Sequence, residues 1–176
     1  MKNYNEIKMV AEGGFIRYAL IKEGKNMLYV LGVNPSTATD TDSDPTMSKV
    51  IGFADRNEFD GFAMMNLYPL RSTDPNALPR NFDVELHQKN LQKIKEIIGS
   101  NKNPIVLLAF GDVINVEPYL KDCLKDIVDM LQPLNPKWKR IGNLTKMGNP
   151  RHPSRAAYSM GIHDFDINEF MKRYSK

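Results

Sequence analysis

Three short polar breaks carry the side chains with the most chemical reach in this 176-residue chain. LGVNPS (Leu31–Ser36) presents Asn34 and Ser36, AMMNLYP (Ala63–Pro69) presents Asn66, and RHPS (Arg151–Ser154) presents His152. Each follows an apolar or extended run. A carboxamide offers donor and acceptor in one plane, so it can read the edge of a polar heterocycle or orient a water. An imidazole near its ordinary pKa can donate to a developing anion at neutral pH. If the three runs are strands of one α/β sheet, their ends share an edge. Asn34, Asn66 and His152 would then meet in one cleft.

The bulk properties are those of a globular protein, at 41% hydrophobic and 26% charged residues. That balance fits neither a disordered chain nor a membrane protein. One domain over residues 1–176 is expected, large enough for its own core. No apolar run approaches the roughly 18 residues that read as a membrane span, and the N-terminus lacks a signal-peptide apolar stretch. A cytoplasmic, non-membrane protein is therefore expected. The one cysteine, Cys123, excludes an internal disulfide framework and any four-cysteine metal or iron–sulfur site within one chain. Net charge is +3, but residues 137–176 hold nine Lys/Arg against three acids. That basic end suits a polyanionic partner. A merely solvated basic surface remains equally open.

The positioning elements follow from periodicity. Phe15–Ile21 and Met27–Val33 read as a hairpin joined by KEGKN. A helix is expected from Pro45, since proline suits a first helical position. Phe62–Leu67, Pro104–Phe110 and Trp138–Leu144 read as further strands, the first two apolar on consecutive positions as in a sheet buried on both faces. Asp83 is placed to cap a helix running to Ile98 and stopped by Gly99, with Val84, His87, Leu91, Ile94 and Ile98 on one face. Glu117–Leu131 and Asp166–Tyr174 complete the helices. Alternating strands and helices give an α/β fold, whose ligand crevice lies beyond the carboxyl ends of the strands.

GVNPST (Gly32–Thr37), AMMNLYPLRSTDP (Ala63–Pro75) and HPSRAAYSMG (His152–Gly161) resemble, in this order, motifs of the uracil-DNA glycosylase superfamily. At closer range RYAL…NPSTA…DPT…NLYPLRSTDP…GNPRHP is similar to the bacterial and phage family called domain of unknown function 1643. The superfamily resemblance implies a three-layer α/β/α sandwich around a central, mostly parallel four-stranded sheet, with an added N-terminal hairpin strand. It implies a DNA N-glycosylase cleaving a pyrimidine, with bulky 5-substituents tolerated. Asn34 would orient the water and His152 would support the departing base as catalytic residues. Asn66 would read the pyrimidine edge, and Ser36 would leave room beside carbon 5. The aromatic stacker of that superfamily is missing at Thr46–Met47. Phe53 or Tyr68 would have to serve, although Phe53 at helical spacing also reads as core. Ser154, Arg155 and Arg151 would hold DNA phosphate.

Two other classes stay open: a catalytically inactive nucleic-acid-binding module, and an enzyme on free nucleosides or nucleotides. The expected partner is DNA or a nucleoside or nucleotide, with no obligate protein partner and no cofactor. Asp40, Asp42 and Asp44 open like a calcium loop, but Pro45 and Ile51 stand where that loop needs Gly and Glu, so no metal is expected. Arg17 and Tyr18 are typical of the closer family and have no role that the sequence supplies. Cys123 sits among apolar helix positions and reads as core.

Overall fold

The computed structural model describes residues 6–175. Seven strands form one sheet: β1 (Lys8–Glu12), β2 (Ile16–Lys22), β3 (Met27–Gly32), β4 (Gly61–Asn66), β5 (Ile105–Leu108), β6 (Lys137–Ile141) and β7 (Ile162–Asp164). Their order is β1-β2-β4-β3-β5-β6-β7. β3 runs parallel to β4 and β5, and β5 parallel to β6. The pairs β1–β2, β2–β4 and β6–β7 are antiparallel. This corrects the expected four-stranded, mostly parallel sheet. The fold is α/β, but its sheet is mixed and seven-stranded, because antiparallel strands extend both edges.

The expected hairpin is also corrected. β2 and β3 do not pair, since β4 lies between them. The linker between them crosses the start of β4 instead of turning tightly. A Cβ on Gly24 would lie 2.5 Å from the Gly61 nitrogen, and one on Gly61 would lie 2.6 Å from the Gly24 nitrogen. Only two glycines let the backbones cross this closely. Asn26 N–H then donates to Asp60 Oδ1 at 2.7 Å and fixes the crossing.

Alternation along the strands divides the core into two layers. Tyr29, Leu31, Ala63, Met65, Val106 and Leu108 pack on one face with the helices α2 (Val84–Ile98) and α3 (Tyr119–Leu131). Leu28, Val30, Phe62, Met64 and Leu107 pack on the other with α1 (Pro45–Arg56). Each fully buried Leu in these layers contributes about 2 kcal/mol of transfer free energy. This two-faced burial explains why the central strands read as unbroken apolar runs.

The caps are local. Asp44 Oδ1 accepts from Met47 N–H at 2.8 Å ahead of Pro45. Asp83 Oδ1 accepts from Leu86 N–H at 3.0 Å, and Gly99, at φ 61°, ends α2 in a conformation open to glycine. Val84, expected on the buried face of α2, is 58% exposed, because the burying stripe runs through Leu86, Asn90 and Ile94. The C-terminal helix α4 (Ile167–Met171) is short and passes into a tighter turn at Lys172–Tyr174. Among the described residues no helix is long and apolar enough to cross a membrane.

Candidate functional site

The carboxyl ends of β3 and β4 open into a cleft of about 590 Å³. Gly32, Val33, Asn34 and Asn66 form its sheet side, and Asp44, Thr46 and Met47 from the start of α1 form a second wall. Ser72, Thr73 and Pro75 close a third side, and His152, Ser154 and Arg155 a fourth. The volume falls within the usual range for small-molecule sites, roughly 300–1,000 Å³.

Asn66 is the most informative residue in it. The residue is 1% exposed, and neither Nδ2 nor Oδ1 has a hydrogen-bond partner among the described residues. Buried polar groups are almost always paired, so a carboxamide with both atoms unpaired calls for a ligand. Its backbone is held from behind, where Asn90 Nδ2 of α2 donates to Asn66 O at 2.9 Å and Leu67 O at 3.2 Å. Its side chain lies across Gly32, its register partner on β3. A Cβ on Gly32 would stand 2.8 Å from Asn66 Oδ1. Gly32 thus makes the groove in which the amide lies.

His152 reaches the same cleft on a loop braced at several points. Gly111, at φ 56°, lets that loop approach: its N–H donates to Pro150 O at 2.9 Å, and an added Cβ would meet His152 Cβ at 3.0 Å. Farther along, Tyr158 seats on α1 at Gly52, with Lys49 4.4 Å and Arg56 3.8 Å from its ring centroid. Lys49 Nζ also donates to Ala156 O at 2.7 Å. Within the loop, His152 Nδ1 accepts from Ser154 N–H at 3.3 Å and lies 2.8 Å from Ser154 Oγ. With Nδ1 accepting, the neutral ring carries its proton on Nε2 and can donate. Burial holds its pKa below the ordinary value, while the Asp44 carboxylate pulls it partly back.

Asn34 lies in the cleft with its amide nitrogen committed. Nδ2 donates to Pro35 O at 3.2 Å and to Ser72 O at 3.0 Å, tying the β3 loop to the 72–75 loop. Both amide hydrogens are thereby used, so Asn34 has only Oδ1 left to offer a ligand. Asp44 serves the α1 cap at the cleft wall, and Ser36 lines the cleft half-buried.

Of the other expected residues, Phe53, Tyr68 and Arg151 lie outside the cleft, while Ser154 and Arg155 line it. Phe53 is fully buried among Val50, Ala54 and Met64, with Tyr158 against its ring at 5.1 Å. Tyr68 is 1% exposed in the opposite core layer, where its hydroxyl accepts from Asp83 N–H at 3.3 Å. Neither aromatic faces the cleft. Arg151 is turned away, with Nε donating to Asn143 O at 2.7 Å. Arg155 is exposed on the rim, and the Ser154 hydroxyl is engaged with His152.

The mixed, seven-stranded sheet overturns the DNA N-glycosylase reading and, with it, the base-excision and glycosidase expectations. No aromatic side chain among the described residues lines the cleft. Among the described residues no group of three His, Cys, Asp or Glu side chains could hold a metal ion. Cys123 is buried, and burial pushes its thiol up to about 12, so it is no nucleophile at neutral pH.

Arg17 was missed as a cleft residue by sequence reasoning. It is 2% exposed and lines the cleft from the start of β2. No local signal marks it, because its position depends on β2 pairing with β4.

Residues 17–154 match the model of a family described as Protein of unknown function (DUF1643). The match supports no tie to the uracil-DNA glycosylase superfamily. No curated protein and no solved structure matches the chain.

Proposed function

The chain belongs to the DUF1643 family, whose description assigns no activity, and from the cleft itself we propose that it binds a nucleoside or nucleotide. The observation that carries this reading is the buried Asn66 amide with both polar atoms unpaired. Such an amide complements a ligand edge with an adjacent acceptor and donor, which nucleobases present. His152 Nε2–H supplies a further donor, and the cleft volume suits one nucleoside-sized molecule. A site built to pair both halves of an amide discriminates strongly, because a ligand without that edge leaves buried groups unpaired.

Calorimetric titration with the common nucleosides tests this. Saturable binding of at least one nucleoside is expected, weakened by roughly tenfold or more in Asn66→Leu, since a buried hydrogen bond lost in a complex costs about 1–3 kcal/mol. Absence of binding by every nucleoside and nucleotide, or equal binding by a folded Asn66→Leu variant, would overturn it.

A further inference from the structure

Ser154 has no part in the ligand contacts above. Among the described hydroxyl side chains lining the cleft, it is the one hydrogen-bonded to an imidazole. Its Oγ lies 2.8 Å from His152 Nδ1, and its own N–H donates to the same nitrogen at 3.3 Å. That N–H marks Nδ1 as an acceptor, so the hydroxyl is the donor of the pair. Its proton then points at a basic nitrogen, while the oxygen lone pairs are left for an electrophile in the cleft. A nucleophile and its base need a separation of about 2.6–3.2 Å. Pro153, buried between the two residues, stiffens the backbone that sets this distance. Burial favours the neutral imidazole, which is the base form. Asp44, in the wall of the same cleft, favours the imidazolium once it forms. Arg155 follows on the same turn and lines the cleft, where its charge can meet an oxyanion.

We propose that Ser154 is a nucleophile and His152 its general base, acting on a carboxylic ester of the molecule bound in this cleft. The identity of that molecule rests on the nucleoside reading, whereas the pair rests on its own geometry. Ser154 Oγ bonds to the ester carbonyl carbon as its proton passes to His152 Nδ1. The carbon–oxygen bond to the alcohol then breaks, and the departing oxygen takes the proton from Nδ1. This leaves an acyl-serine. Water adds to the acyl carbon and gives a proton to Nδ1, and the Ser154–acyl bond breaks as Oγ recovers that proton. One ester and one water thus become an alcohol and a carboxylic acid. His152 Nε2–H takes no part in these transfers and stays available to hold the ligand.

The test treats wild type, Ser154→Ala and His152→Gln with a fluorophosphonate, which gives its phosphonyl group to an activated hydroxyl and loses fluoride. The modified residue is mapped by mass spectrometry. Wild type should be modified at Ser154, and His152→Gln should react about a hundredfold more slowly, in line with what a general base contributes. Para-nitrophenyl acetate should be hydrolysed by wild type and not by Ser154→Ala. Modification of the wild type at another residue, or at none, overturns the nucleophile whether or not the variants fold. A folded His152→Gln that reacts as fast as wild type overturns the base. Acetate hydrolysis that is absent in wild type, or equal in Ser154→Ala, overturns the ester. A nucleoside that binds should slow the modification of Ser154. Nucleoside binding without any modification of Ser154 overturns the nucleophile and leaves the nucleoside reading standing. Modification of Ser154 without binding of any nucleoside or nucleotide supports the nucleophile and overturns the nucleoside reading.

Discussion

A carboxamide buried at 1% exposure with no partner among the described residues is a standing cost to the fold. Leaving such a group unsatisfied costs about 1–3 kcal/mol, and an apolar side chain of similar size removes that cost. Asn66→Leu should therefore raise the free protein's stability by roughly 1–3 kcal/mol while weakening ligand binding. Urea denaturation checks the sign, and a loss of stability would mean that the amide is already satisfied within the protein. His152 makes a second prediction at this scale. Its folded-state pKa lies below its unfolded value, so the unfolded chain binds the extra proton first. Stability tied to this residue is complete above about pH 6.5 and is lost as pH falls from there through the lowered folded pKa. Carboxylates held low by surface partners, such as Asp164 beside Lys139, lose stability in acid too, so a single melt does not isolate the histidine. The drop in Tm between pH 7.5 and pH 5.5 should be smaller in His152→Gln than in wild type, and equal drops would remove His152 from the balance.

At the scale of elements, α1 and the His152 loop act as one unit. Replacing glycine by alanine inside a helix ordinarily stabilises by up to about 1 kcal/mol. At Gly52 the sign reverses, because the new Cβ would stand 2.4 Å from Tyr158 Oη and 2.6 Å from its ring carbons. Gly52→Ala should unseat Tyr158, destabilise by about 1–3 kcal/mol as overpacking does, and weaken ligand binding at His152. Thermal melts with matched titrations test both effects, and a stabilised variant with unchanged affinity would show that Tyr158 does not brace the loop. The sequence makes part of this arrangement legible. Asn34, Asn66 and His152 stand out because each follows an apolar or extended run, and the Asp44 and Asp83 caps have local signatures. Gly52 and Tyr158 do not stand out, since their contact joins segments far apart in the chain. Phe53 misleads for a related reason: a helical period shows that a residue is buried, not whether it faces core or cleft.

For the whole molecule, the two core layers enclose Cys123 in the layer under α3. With its thiol pushed up to about 12 by burial, it should react with alkylating agents only when the protein opens. The denaturant dependence of its labelling should then match that of global unfolding. Labelling at a rate independent of denaturant would reveal a local opening of α3. Long-range order is also where sequence reading fails most. The expected hairpin of β2 with β3 is the pairing nearest to β3 along the chain, yet β4 lies between them, and Gly24 and Gly61 let the linker cross the start of β4. The short edge strands β1 and β7 carry little apolar signal, with most of their residues exposed, so nothing local announces them.

That crossing also sets an order of assembly. β1 and β2 can pair with each other, but they join the rest of the sheet only through β4, because the other neighbour of β2 is Phe62–Met65 and not the strand that follows it. During synthesis the first strands emerge and must wait for residue 66 before they can dock. Over that interval a β2–β3 hairpin is the alternative with the shorter loop to close. Two facing glycines therefore bear on folding as well as on form. A bulky residue at position 24 or 61 would disfavour the native crossing while leaving the hairpin unhindered, and its first symptom would be slow refolding.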